Sequence, residues 1–274
     1  MRIRFSQRVL FVMVAAAVAG GPLWAQTQGA AKSVTNENRL FQRFIEDGAV
    51  IPGGWVEGQA RLQFFDDGEA VSLSPIIAFN VAEDIELGGR VGLLSYNPDP
   101  GGTETGFTDM DLYGKIRLTM QPTQFALGVL LKLPSGDEKK STLHGTGEMD
   151  VAFFGGVRHD FKSLTFVASG GFRINQDPEP GAVVPGLPAS AVPEGELSLQ
   201  LGVGLIVPFT PKLSGVAETS FETERIDGAG SDFRVTLGSE YRAGESFGMR
   251  FAAAGGIGDA APNFEAIGSV VLFF

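Results

Sequence analysis

Charged side chains in several stretches of this sequence stand an even number of positions apart. Asp109 and Asp111 stand two apart and precede Lys115 and Arg117, while Glu148 and Asp150 precede Arg158. Two carboxylates on one strand face could share acid and base roles. Acids followed by bases on the same face instead suit an ion-pair lattice, and the cations in each group favour that chemistry. The chain has only two histidines. His144 lies three residues after Ser141 in a loop, and His159 falls on an apolar parity. An acyl hydrolase needs a nucleophile with a base in reach. Neither histidine shares a strand face with a serine, so no catalytic residues are assigned and an enzyme is not expected. The acids Asp66, Asp67, Glu69, Asp99, Asp177 and Glu179 lack the spacing of a calcium loop. No glycine-rich phosphate loop follows a strand and opens a helix. No metal and no cofactor are expected.

Composition narrows the field further. The 274 residues include no Cys and carry a formal net charge of −11. Disulfide frameworks, thiol nucleophiles and Cys-bound zinc are excluded. The acidic balance argues against a nucleic-acid partner. Gly (38) and Phe (22) are abundant, and with Val they point to an all-β chain.

The elements that must position the charges are strands. Glu57, Gln59, Arg61 and Gln63 alternate with Val56, Gly58, Ala60, Leu62 and Phe64, the period of two of a strand with unlike faces. Twelve such segments follow one another: 55–65, 70–81, 85–96, 107–118, 124–133, 148–159, 164–174, 196–207, 213–222, 233–242, 247–255 and 264–274. Each is about ten residues long, enough for a tilted strand to cross a bilayer. Within them Glu57, Arg61, Glu86, Arg90, Asp109, Asp111, Lys115, Arg117, Lys132, Glu148, Asp150, Arg158, Arg173, Glu218, Arg234, Glu240, Arg242 and Arg250 fall opposite the apolar face of their own strand. So do Glu196, Glu222 and Glu265.

A soluble sandwich also alternates, with the apolar face inside. Three features favour the inverse, a transmembrane antiparallel up-and-down barrel of about twelve strands whose charges line the lumen. The connections alternate short and long, as turns and loops at opposite rims do. The strand number is even. The last strand ends Val270-Val271-Leu272-Phe273-Phe274, a pattern resembling the signal read by barrel-assembly machinery. Trp55, Phe65, Phe79, Tyr96, Phe107, Phe221, Tyr241, Phe247, Phe264 and Phe274 are candidates for aromatic girdles. Twelve strands at about 4.8 Å spacing and about 40° tilt give a diameter of roughly 24 Å, leaving about 10–12 Å between inward side chains. Leu130, Phe154, Val167, Ile206 and Val216 have inward parity; they could line an apolar path or pack under a plug.

The start of the chain is different. Arg2, Arg4 and Arg8 precede the apolar run Val9–Gly20, and Leu23-Trp24-Ala25 resembles a cleavage site. Residues 1–25 therefore read as a secretory signal peptide. Residues 26–54 do not alternate. In Asn38–Gly48, Leu40, Phe41, Phe44 and Ile45 fall on one helical face, which predicts a short helix capped by Asn38 and ended by Gly48. That segment is either a plug in the lumen or a periplasmic arm at the membrane surface.

Three stretches carry a family resemblance. Gly106-Phe107-Thr108-Asp109-Met110-Asp111-Leu112-Tyr113-Gly114-Lys115 resembles the "G-x-G-D-x-x-L-G-x-K" strand of outer-membrane barrels named for the MetA pathway of phenol degradation, with Thr108 in place of the second Gly. Lys132-Leu133-Pro134-Ser135-Gly136-Asp137, followed by Gly145-Thr146-Gly147-Glu148-Met149-Asp150, resembles that family's "K-L-P-T-G-D … G-T-G-S-x-D" signature. Ala82-Glu83-Asp84-Ile85-Glu86-Leu87-Gly88 resembles its "T-D-x-x-E-L-G" turn. The resemblance covers roughly residues 45–175. It implies an outer-membrane channel of a Gram-negative cell, among lipid and lipopolysaccharide, passing small hydrophobic or aromatic compounds. The alternative is a structural barrel with a closed lumen.

Overall fold

The structure is a computed structural model that describes residues 38–43, 45–99, 101–120, 122–137, 140–178, 184 and 192–274. The signal-peptide reading of residues 1–25 falls outside them. The described chain contains no helix. Its strands are β1 (Gly54–Phe65), β2 (Gly68–Ala82), β3 (Ile85–Arg90), β4 (Leu93–Pro98), β5 (Glu104–Phe107), β6 (Met110–Met120), β7 (Thr123–Leu133), β8 (Asp150–Asp160), β9 (Thr165–Ile174), β10 (Leu197–Pro208), β11 (Leu213–Glu222), β12 (Asp232–Arg242), β13 (Phe247–Ile257) and β14 (Phe264–Phe273).

Every neighbouring pair is antiparallel, and β1 pairs with both β2 and β14, which closes the ring. Two of the expected strands are broken. β3 and β4 both pair with β2 and are halves of one wall strand, while β5 pairs with β4 and β6 with β3. The fourteen segments thus make a closed barrel of twelve strands. The two breaks face each other: the Thr108 amide donates to the Gly92 carbonyl at 2.8 Å. A β-carbon at Gly92 would lie 2.7 Å from the Thr108 hydroxyl, so the side-chain-free residue is what lets the breaks meet. Closure leaves only the short β5, at the long-loop rim, with a single strand neighbour; the rest of the wall has no unpaired edge, which a β wall in lipid requires.

The alternation sorts the residues by face. Leu62, Leu73, Leu118, Leu127, Phe153, Leu199, Leu237, Phe251 and Leu272 all point outward and are exposed. Soluble monomers rarely carry a contiguous apolar patch above a few hundred Å². An apolar band running round the whole ring is the surface of a barrel bathed in hydrocarbon. Facing inward, Glu57, Glu86, Asp150, Arg158, Arg250 and Glu265 are 0–2 % exposed. Two charges depart from the expected placement: Glu148 and Glu196 precede β8 and β10 and lie in loops, so neither is a wall residue. Trp55 and Tyr96, proposed for the girdles, are buried inside at 1 % and 3 % exposure. Each shares the parity of its strand's inward residues, and that parity overrides its aromatic character.

The helix expected over Asn38–Gly48 is not formed. The described residues there are bends and turns inside the lumen. The wall takes the backbone groups that a helix would pair with itself. Arg158 donates to the Asn38 carbonyl (3.0 Å), Arg250 to those of Arg39 and Leu40 (2.7 and 2.8 Å), and Lys115 to that of Asp47 (3.1 Å). Apolar periodicity over a single short stretch cannot compete with so many charge-assisted bonds. Phe44 lies outside the described residues.

Candidate functional site

The lumen is where the charges converge, and register decides which of them meet. Residues four apart on one strand are separated by about 13 Å, whereas cross-strand partners lie about 5 Å apart. The along-strand pairs suggested by the sequence are therefore replaced by cross-strand ones. Arg90 opposes Asp111 and bonds it; Glu86 opposes Lys115, with nitrogen and oxygen 3.2 Å apart. Lys132 lies between Asp111 and Asp150 in register and reaches Asp109 at 3.0 Å and Asp150 at 3.7 Å. Arg117 sits at the short-turn rim, where it pairs with Asp84 at 2.8 Å and donates to the Val50 carbonyl at 3.2 Å. Glu240 opposes Arg250 and meets it at 3.2 Å, with Arg242 3.3 Å from its other oxygen. Glu265 binds Arg61 at 3.0 Å and Arg234 at 3.2 Å.

Into this lattice runs the segment from Asn38 to Val50. It enters at the short-turn rim, where Asn38 donates to Ser214 at 2.7 Å. It climbs to Phe41–Arg43 and descends past Asp47, which accepts from Arg158 at 3.0 Å. At the top, three consecutive amides, of Phe41, Gln42 and Arg43, donate to the one carboxylate of Glu218 at 2.8, 3.0 and 2.8 Å. Successive N–H groups curled round an anion form a binding nest. Glu218 is thus a latch for the segment and not a bare lining residue. Lower down, Arg39 binds Glu57 at 2.9 Å and stacks 3.5 Å above the Trp55 ring. Glu57 also takes Arg250 at 3.2 Å.

The wall is shaped to this segment. A β-carbon at Gly156 would collide with the Glu46 carbonyl oxygen, so the backbone of β8 and that of the segment touch only because glycine is there. At Gly53, φ is +82°, the turn that swings the chain from the lumen into β1; a β-carbon there would strike the Phe274 carbonyl. The five inward apolar residues also meet the segment. Leu130 and Phe154 cluster with Ile45, Ile51 and Trp55, while Val167, Ile206 and Val216 cluster with Leu40 and Phe41. They pack against it and do not line an open path.

The resemblance motifs come together at the long-loop rim. Asp109, in the break between β5 and β6, accepts from the amides of Gly136 (3.0 Å) and Thr146 (3.1 Å) as well as from Lys132. It therefore closes the loop 134–149 onto the wall. Within that loop the Ser141 hydroxyl lies 3.3 Å from His144 Nδ1, and both residues are 1 % exposed. Among the described residues no acid hydrogen-bonds the His144 ring as the third member of an activated nucleophile would. Burial pushes the His144 imidazole below the ordinary histidine range. His159 holds the Thr123 hydroxyl at 2.8 Å at the opposite rim, far in register from Ser141.

No protein-family model matches the chain, and no curated protein matches it in sequence. Solved structures do match in shape. The COG4313 outer membrane channel from Pseudomonas putida F1 aligns with a TM-score of 0.65 at 13 % identity, over 82 % of this chain and 97 % of that one. The KdgM porin aligns at 0.54 and 9 % identity, over 80 % and 99 %. The β domain of the Bordetella autotransporter BrkA aligns at 0.54 and 11 % identity, over 82 % and 100 %. At these identities the likeness is one of fold: this chain has the fold of outer-membrane barrels.

Arg39, Arg43, Asp47, Asp84 and Arg225 belong to the lumen network but escaped the strand pattern, because each lies in a segment that does not alternate. Gln59 and Gln200 were findable, since they have inward parity in β1 and β10.

Proposed function

We propose that this protein is an outer-membrane channel for passive passage of small organic compounds, with residues 38–51 as a removable plug. The observation that carries this reading is how the lumen is filled. A barrel built only as a wall can fill its interior from its own strands. Here a separate segment enters from one rim, and wall glycines and wall charges are cut to receive it. Its polar anchors are hydrogen bonds and ion pairs, which water can replace when it leaves, while its apolar packing into the wall clusters rests on Leu40, Phe41, Ile45 and Ile51. Emptied, a twelve-strand lumen of about 10–12 Å would admit a small solute. The porin and channel shapes it resembles support a channel, and the resemblance to barrels of phenol degradation supports hydrophobic or aromatic cargo. Expected neighbours are lipopolysaccharide outside and, during biogenesis, assembly machinery reading the Phe274 strand; the charged start of the chain would direct secretion.

The test is single-channel recording in planar bilayers. The barrel lacking residues 26–48 should carry steady current, reduced by added phenol, where the intact chain is closed or flickers. A second reading, a structural barrel with a permanently closed lumen, draws on the complete burial of Leu40, Phe41 and Asp47, each 0 % exposed. It predicts no current from either protein.

A further inference from the structure

Above the turn of the luminal segment, three guanidinium groups surround one carboxylate. Glu222, at the end of β11, has Arg173 of β9 at 3.6 Å, Arg225 of the following loop at 3.7 Å and Arg43 of the luminal segment at 3.8 Å. None of these is a hydrogen bond. The bonds Glu222 accepts come from Gln200 at 2.9 Å and Ser198 at 3.2 Å. The arginines differ in what else they hold. Arg225 binds Asp150 at 3.0 Å and Asn175 at 3.2 Å. Arg43 binds Glu46 at 3.3 Å and the Phe221 carbonyl at 3.0 Å. Arg173 donates to no group among the described residues, and its Nε is buried without a partner.

An arginine carries five donors in a flat fork, and buried donors are normally satisfied. A fork with no hydrogen-bond acceptor among the described residues, held only by the 3.6 Å ion pair to Glu222 and flanked by two more guanidiniums, suits a planar oxyanion. We infer that Arg173, with Arg225 and Arg43, binds the carboxylate of a small organic acid entering from the long-loop rim. Arg43 belongs to the plug, so the bound acid touches the segment that must leave. The site deepens the conduit reading, since its meaning as a cargo site rests on that reading, but binding itself needs no open pore.

The experiment is calorimetric titration of the folded full chain in detergent with benzoate, and with benzyl alcohol and inorganic phosphate as comparisons. Benzoate should bind saturably and one to one, and the alcohol and phosphate at least tenfold more weakly. Arg173→Gln should weaken benzoate by about tenfold or more, the worth of a charge-assisted bond. Arg173→Lys keeps the charge and the lattice but loses the fork, and should weaken it several-fold. Glu222→Gln removes the competing acid and should tighten it. Benzoate failing to saturate the folded chain, alcohol or phosphate matching it, or Arg173→Gln binding unchanged would each overturn the site. Benzoate binding to a barrel that never conducts, even without residues 26–48, would refute the conduit and leave the site standing.

Discussion

Replacing Glu218 by Ala removes the latch on the luminal segment. The Glu218 carboxylate is 2 % exposed and holds three consecutive amides of the segment at 2.8–3.0 Å. Hydrogen bonds to a charged acceptor contribute about 1.5–3 kcal/mol each. The three share one acceptor and do not add, and the substitution leaves their donors buried without partners. A net loss of about 3–5 kcal/mol follows, the range seen when one side of a buried charged contact is deleted. At about 1.4 kcal/mol per tenfold, the docked segment loses two to three and a half orders of magnitude in stability relative to the undocked one. The wall loses an inward charge but no pairing, so the barrel itself stays folded. Trp55 reports the change without any current. It is the one tryptophan after Trp24, is 1 % exposed, and lies under Arg39 of the segment. Acrylamide should hardly quench it in the parent protein and should quench it several-fold faster in Glu218→Ala, while bilayer recordings show longer open times. A folded Glu218→Ala barrel with parent-like quenching and parent-like current would refute the latch.

Other perturbations probe the same arrangement. Gly156→Val should evict the segment, because its β-carbon collides with the Glu46 carbonyl, and should raise Trp55 quenching; Gly58→Val, whose β-carbon meets nothing within 4 Å, should change neither quenching nor current. Lys132→Met takes from Asp109 its cation, leaving it the Gly136 and Thr146 amides, and leaves Asp150 to Arg225 and the Gln176 amide; it should lower barrel stability by about 3 kcal/mol in denaturant titration. The loop 134–149 should loosen in acid. His144 is held below the ordinary histidine range by burial, with Lys140 adding to that and Glu104 and the Leu94 and Ser141 backbones opposing it. The folded loop therefore favours the neutral ring, so its contribution is full above the ordinary histidine value and is lost as pH falls below it. Amide exchange at Leu143–Thr146, corrected for intrinsic rate, should accelerate between about pH 7 and pH 5; His144→Gln should abolish the pH dependence.

The wall was legible because period two is a strong signal when repeated twelve times. The segment 213–222 coincides with β11 as observed, and most other expected strands differ from the observed ones by one or two residues at either end. The breaks at 91–92 and 108–109 were not legible, since alternation continues nearly unchanged through a bulge; only Gly92 and the departure at Thr108 hinted at them. Ion-pair partners were misread wherever the pairing was sought along a strand, because register across strands is a property of the closed ring and not of any one stretch. The motif residues Asp109, Lys132, Gly136 and Thr146 were singled out in sequence, but their joint role as a loop fastening needed the geometry.

The luminal segment was the hardest to read, for a physical reason that also explains its place. Its backbone pairs with neither a helix nor a sheet, so no period can reveal it. Its partners are inward charges and glycines distributed over wall strands from β1 to β14, each unremarkable on its own strand. Gly156 reads as a small residue on a curved wall, and Glu218 as one more luminal acid. Only together do they describe a mould. A barrel whose inward glycines and acids served curvature and charge balance alone would have no need to place a glycine under the Glu46 carbonyl or a lone acid within reach of three amides. The wall sequence is therefore written around the segment, and the exchangeable polar contacts that hold much of it are what the proposal of a displaceable plug rests on.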